Sequence, residues 1–335
     1  MPAGWMGTRL DTGPVLGQRP RGNGGGGASA CGGGWMPMEE GRITDRGAEA
    51  DITRGNPEVA EASGRRARVR EVRCVSALSR SRLTGLDYAL NPYRGCEHGC
   101  LYCYSPAVIH CDEREPWGEW VEARVNMPVL LSRELRRLPR GTVGVGTVTD
   151  PYQPAELRYR VTRHCLEQLL RHQWPVCIQT KSRNVVEDIG ILSRFKNIEV
   201  GITLTTADDG LRGAFEPRAS SVGERLGALA ALRDAGVPTF VFFGPVLPGA
   251  VEKGLEGLFR SLAELSIRRI LIDRLRVHRG VWERLRPYIA KSHPALVAEY
   301  EAILFGLSED YERLILDIVE LARACGLSAA AVGMP

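Results

Sequence analysis

The chain has 335 residues, 44% of them hydrophobic, and a net charge of +4 from 44 basic against 40 acidic side chains. That is long enough for a globular core and too evenly charged for a chain built mainly to hold a polyanion. No run of about 18 apolar residues exists, which excludes a transmembrane helix, and no basic cluster followed by an apolar stretch marks a secretory signal, so the expected location is cytoplasmic.

Residues 1–65 show little apolar periodicity, and 13 of the 38 glycines fall within the first 41 positions. Such a segment buries too little surface to offset its ordering entropy, so a disordered tail is expected there, with one folded domain over residues 66–335. From about Val69 strand-like and helix-like stretches alternate. The pattern predicts strands over 142–149, 176–180, 198–205, 239–246 and 269–275. Helices are predicted over 155–172, with Leu166, Leu169 and Leu170 on one face, and over 185–195, 221–235 and 251–265. Further helical segments run to about residue 325. The strands are near-continuous Val/Ile/Phe runs, as expected of strands buried on both faces of a parallel sheet. With a first strand before Asn91, roughly six βα units result. That fits a barrel-like (βα) fold or an open doubly wound sheet, and in both the chemistry sits in loops after the strands' C-terminal ends.

The nine cysteines are an odd number and do not read as a secreted disulfide framework; clustered thiols in a reducing compartment point to metal or catalysis. Three lie within eight residues, as Cys96-x-x-x-Cys100-x-x-Cys103. A structural zinc site would need a fourth ligand from His98, His110, Cys111 or Cys74. Three cysteines without an obvious fourth better suit an iron–sulfur cluster with one iron open to an outside ligand.

This spacing, with the aromatic Tyr102 directly before the last cysteine, resembles the signature of the radical S-adenosylmethionine (SAM) superfamily. The segments Asn91-Pro-Tyr-Arg-Gly-Cys96, Gly146 to Glu156, Thr180-Lys-Ser182, Gly201 to Thr205, Glu216-Pro-Arg218 and Gly244 to Gly249 resemble its spore photoproduct lyase-like branch. The resemblance implies an α/β fold, a partial (βα)6 TIM-like barrel. It implies a four-iron, four-sulfur cluster on Cys96, Cys100 and Cys103, and SAM chelating the open iron. It places Tyr102 beside the adenine, Lys181 at the SAM carboxylate, and Thr203, with Thr205 in competition, at the ribose. Lys181 is one of only four lysines in an arginine-rich chain and follows a predicted strand end. Asp150 also follows a strand end and is a further cofactor-binding candidate, with a turn-capping role the alternative. The implied reaction is reductive SAM cleavage, fed by an external low-potential donor of flavodoxin or ferredoxin type, acting on an unidentified substrate. The lyases carry a cysteine hydrogen donor where this chain has Thr147, so the resemblance carries the SAM-cleaving half and not the repair relay.

Arginines crowd residues 65–73 and 268–279, and Trp117 and Trp120 lie close together, so a nucleic acid is one candidate substrate. The runner-up function is a non-catalytic zinc or Fe–S binding module with a structural or nucleic-acid-contacting role.

Overall fold

The computed structural model describes residues 67–332 apart from 112–114, 250, 252, 277 and 307. The glycine-rich tail and its boundary near residue 65 lie outside the described residues. The strands are β1 (Arg68–Val72), β2 (Leu78–Arg80), β3 (Tyr88–Leu90), β4 (Tyr93–Arg94), β5 (Trp120–Arg124) and β6 (Val143–Val145), followed by β7 (Val176–Thr180), β8 (Ile198–Leu204), β9 (Thr239–Val246), β10 (Arg269–Arg274) and β11 (Ser328–Ala331). The main sheet has the order β11-β10-β9-β8-β7-β6-β3-β2. Its seven strands from β3 to β11 pair in parallel, and β2 joins β3 antiparallel. The edges β2 and β11 do not pair with each other, so the barrel is partial.

The six strands expected from the sequence are β3, β6, β7, β8, β9 and β10. Ile178, Val200, Ile202, Val241, Phe243 and Ile272 are fully buried along them, and removing each such side chain from water is worth roughly 1.5–3 kcal/mol. The helices are α1 (Ser105–Val108), α2 (Met127–Glu134), α3 (Glu156–Tyr159), α4 (Val161–Arg171), α5 (Ile189–Leu192), α6 (Asp209–Phe215), α7 (Val222–Asp234), α8 (Leu255–Glu264), α9 (Val281–Ser292), α10 (Val297–Phe305) and α11 (Glu309–Ala324). From α11, the buried Tyr311 hydroxyl donates to Val246 O (2.8 Å) and accepts from Leu275 N (2.6 Å), tying together the C-terminal ends of β9 and β10.

Several expected boundaries shift for local reasons. The strand over 142–149 shortens to β6 because Gly146 turns at φ 82°, where any Cβ would lie 2.4 Å from Pro151 Cδ. The helix over 155–172 breaks into α3 and α4 at Arg160, whose φ is 51°. Residues 183–188 form a 3₁₀ segment ahead of the short α5. The helix expected from 251 starts at Leu255, after a left-handed Gly254. A second, three-stranded sheet, β1-β5-β4, was not foreseen. It leads into the cysteine segment, because β4 ends one residue before Gly95.

Candidate functional site

Two successive turns follow β4. Gly99 N donates to Cys96 O (3.4 Å) and Cys103 N donates to Cys100 O (3.2 Å). Each turn opens on a cysteine and the second also closes on one, which is the structural content of the x-x-x, x-x spacing. Gly95 (φ 81°) supplies a left-handed conformation that a side chain would strain. A Cβ there would also lie 2.4 Å from Trp120 O, so β5 packs directly against the loop's entrance.

The loop's carbonyls are tied outward. Gly95 O accepts from Gln153 Nε2 (3.2 Å), His98 O from Arg218 N (3.3 Å), and Leu101 O from Arg284 Nε (3.1 Å). Cys103 O accepts from Arg284 Nη2. Among the described residues, the N–H groups of His98, Cys100, Tyr102 and Tyr104 donate to no protein acceptor. A stretch of backbone donors left unmatched beside thiols suits an anionic group. Cys96 and Cys100 are buried and Cys103 is partly so. Burial, then Asp150, pushes the Cys96 thiol well up, and burial, then Glu216, pushes up Cys100 against the opposing pull of Lys181. Thiols in this state become thiolates by taking a metal, whose binding releases their protons.

Beneath the loop lies a fully buried ion pair between Glu216, just past α6, and Arg225 of α7. Glu216 Oε1 also accepts from the Tyr102 hydroxyl and from Thr205 Oγ1 (3.1 Å). Arg225 donates to Thr203 O (2.9 Å) and Ser220 O (2.9 Å). Burial pushes the Glu216 carboxyl up, but Arg225 and Lys181 outweigh it and hold it below its ordinary value. One ion pair thus connects Tyr102 of the cysteine loop with Thr203 and Thr205 at the end of β8. Thr203 Oγ1 additionally accepts from Gln179 Nε2 (3.4 Å).

Asp150 joins the loop to the end of β7. Its Oδ1 accepts from Thr180 Oγ1 (2.7 Å) and Tyr152 N (2.9 Å), and its Oδ2 accepts from Lys181 N (2.7 Å). His98 Nδ1 lies 3.4 Å from Oδ2, and burial holds that imidazole below its ordinary pKa against the opposing pull of Asp150. The Lys181 ammonium sits 5.7 Å from the centre of the Tyr102 ring, within cation–π reach. Burial pulls the Lys181 pKa down, but Cys100, Glu216 and Asp150 raise it overall. The structure therefore brings Cys96, Cys100, Cys103, Tyr102, Asp150, Lys181, Thr203 and Thr205 to one end of the barrel.

Other residues noted in the sequence have structural partners, and Thr147 O accepts from the Tyr104 hydroxyl (2.9 Å) beside the cysteine segment. Glu156 accepts from Thr162 N (3.0 Å) and Arg163 N (2.9 Å), capping α4. Cys74 Sγ lies 3.5 Å from Asn126 Oδ1. Thr147 Oγ1 accepts from Asn91 Nδ2 (3.0 Å). Among the described residues of the arginine stretches, five are ion-paired: Arg68 with Glu115, Arg70 with Glu122, Arg269 with Glu199, Arg274 with Glu312 and Arg276 with Asp273. Arg269 and Arg274 also stand at opposite ends of β10, so the second stretch does not form one basic face. Trp120 is buried behind the cysteine loop with the Arg94 guanidinium 5.4 Å from its ring, a packing position and not a stacking platform. Among the described residues, no group of three or more His, Cys, Asp or Glu side chains is arranged to hold a single metal ion. No described helix is long and apolar enough to cross a membrane. Two residues the sequence did not single out, Arg225 and Arg284, complete the site.

The sequence profile of the radical SAM superfamily matches residues 90–262, just over half of the chain. An uncharacterized protein of Methanocaldococcus jannaschii is 28% identical over 182 residues, 54% of this chain and 69% of that one. An uncharacterized protein of Mycobacterium tuberculosis is 29% identical over 246 residues, 70% of this chain and 72% of that one. A protein of Pseudomonas phage M6 named radical SAM Nalpha-GlyT isomerase is 25% identical over 188 residues, 54% of this chain and 38% of its own length. Among solved structures, spore photoproduct lyase complexed with dinucleoside spore photoproduct superposes with a TM-score of 0.60 at 14% identity, over 88% of this chain and 87% of that one. At that identity the likeness is one of fold.

Proposed function

The chain belongs to the radical SAM superfamily, and on that premise we propose that it binds a 4Fe–4S cluster on Cys96, Cys100 and Cys103 and cleaves SAM reductively to act on a substrate still to be identified. The observation that carries this reading is the two-turn loop. Three thiols and unmatched backbone N–H groups are gathered there, and every other candidate contact for the cofactor converges on the same barrel end. Held by Cys96, Cys100 and Cys103, such a cluster would supply the electron for reductive cleavage of SAM at its sulfonium.

The chain's own residues bind and orient. Lys181 offers a compact cation for the SAM carboxylate, and its positive charge is secured by Glu216 and Asp150. Tyr102, braced by Glu216, holds its ring for the adenine. Thr203 and Thr205 stand at the end of β8 for the ribose. Both oxygens of Asp150 already accept from protein donors, so we assign it to positioning the backbone of Lys181. The buried walls exclude water that would quench a radical. An electron donor of flavodoxin or ferredoxin type, and a reducing cytoplasmic location that keeps the free cysteines reduced, complete the reading.

Anaerobic reconstitution tests it. Iron and sulfide near about four each per chain are expected, not one zinc. On reduction with SAM present, 5′-deoxyadenosine should form in the native protein and be absent in Cys100→Ala. An intact, reduced cluster that yields none overturns the enzymatic reading and favours a binding module.

A further inference from the structure

Arg284 belongs to α9, beyond the matched region and far along the chain from the cysteines. Its guanidinium nevertheless closes on the loop twice, with Nε on Leu101 O (3.1 Å) and Nη2 on Cys103 O. The two carbonyls flank Tyr102, so the fork fixes the second turn on both sides. The guanidinium is largely sheltered, and burial holds its pKa below the ordinary value, with Cys103 and then Glu283 opposing that pull. Arg218 makes the other arginine contacts, from its amide to His98 O and from its side chain to Gly118 O. Arg284 turns its side chain onto the cysteine segment itself. Hydrogen bonds to two backbone carbonyls need only neutral donors; a full positive charge, partly desolvated beside Cys103, does more than hold shape.

We propose that Arg284 is a positioning residue whose charge favours the reduced state of the group held by Cys96, Cys100 and Cys103. The inference rests on the cofactor reading above. Three thiolates around a cluster make its oxidised form anionic, and each added electron makes it more so. A fixed cation in a poorly screened position stabilises the more negative state, and local charge and hydrogen bonding are the protein's levers on cluster potential. The backbone dipoles Arg284 engages belong to the loop itself, so the charge moves with the ligands.

Two variants separate charge from tether. Arg284→Gln keeps neutral N–H donors and loses the charge; Arg284→Lys keeps the charge and loses the planar fork. The readout is the midpoint potential of the reconstituted protein without SAM, from an anaerobic redox titration followed by EPR. The inference expects a more negative midpoint for Arg284→Gln and a near-native one for Arg284→Lys. Loss of iron from Arg284→Gln would show the charge acting on retention of the group and not on its reduced state, and overturns the inference as stated. An unchanged Arg284→Gln midpoint, equal shifts in both variants, or loss of the cluster in both or in Arg284→Lys alone overturns it. A native protein that takes up no iron–sulfur cluster defeats the cofactor reading instead, so the two failures are distinguishable.

Discussion

Glu216→Gln removes one charge from the buried pair with Arg225 and leaves its shape almost unchanged. Both native side chains are fully buried. The guanidinium would keep Thr203 O and Ser220 O but lose its counter-charge. Stranding one member of a buried pair costs about 3–5 kcal/mol. The Tyr102 and Thr205 hydroxyls would exchange a charged acceptor for a neutral one, about 1 kcal/mol each. The sum, roughly 5–7 kcal/mol, approaches the whole stability of an ordinary domain, about 5–15 kcal/mol. Guanidinium chloride unfolding of the apoprotein, followed by circular dichroism, should show Glu216→Gln largely unfolded or with a far lower midpoint. The apolar double variant Glu216→Leu/Arg225→Met should recover at least half of the loss, because it removes the stranded charge as well. A Glu216→Gln protein within about 1 kcal/mol of native, or a double variant no better than the single one, would refute the assignment of this pair as the brace beneath the loop.

Three further outcomes are expected. Because Glu216 is held below its ordinary carboxyl value of 4.5 in the folded protein, its stabilising contribution is complete above that pH and disappears as pH falls through the lower folded value; acid titration of unfolding should lose this component if Glu216 is replaced, and an unaltered profile would contradict it. Gly95→Ala forces a Cβ against Trp120 O at a left-handed φ, so iron retained after reconstitution should drop several-fold while the far-ultraviolet spectrum stays native. Lys181→Met should weaken SAM binding at least about tenfold in equilibrium dialysis, the equivalent of 1.4 kcal/mol for a lost charge pair, with iron content unchanged; equal affinity would remove Lys181 from the site.

The central strands were legible because β7, β8, β9 and β10 are rich in Val, Ile, Leu and Phe, and the cysteine loop because its spacing is a local property. What escaped the sequence is long-range or weakly marked. β1 reads Arg-Val-Arg-Glu-Val, mostly exposed, and forms through pairing with β5 some fifty residues on. β11 is Ser-Ala-Ala-Ala, poor strand formers held by parallel pairing with β10. Arg225 and Arg284 were indistinguishable among so many arginines, since nothing local separates a buried guanidinium from a solvated one. Glu216 was visible as part of a motif, but its partners lie on the cysteine loop, on β8's exit and on α7. Asp150 shows the opposite case: its position after a strand was readable, while the donors that occupy both oxygens were not.

The grip of Arg284 on the cysteine loop also has a timetable. Its two acceptors lie 183 and 181 residues earlier in the chain. At a synthesis rate of about 5–20 residues per second, the ribosome needs roughly 10–35 s to reach it after Cys103 has been made. Throughout that interval three closely spaced thiols exist without the helix that will clasp them. The loop that carries Cys96, Cys100 and Cys103 therefore reaches its final hydrogen bonding only once α9 has been made.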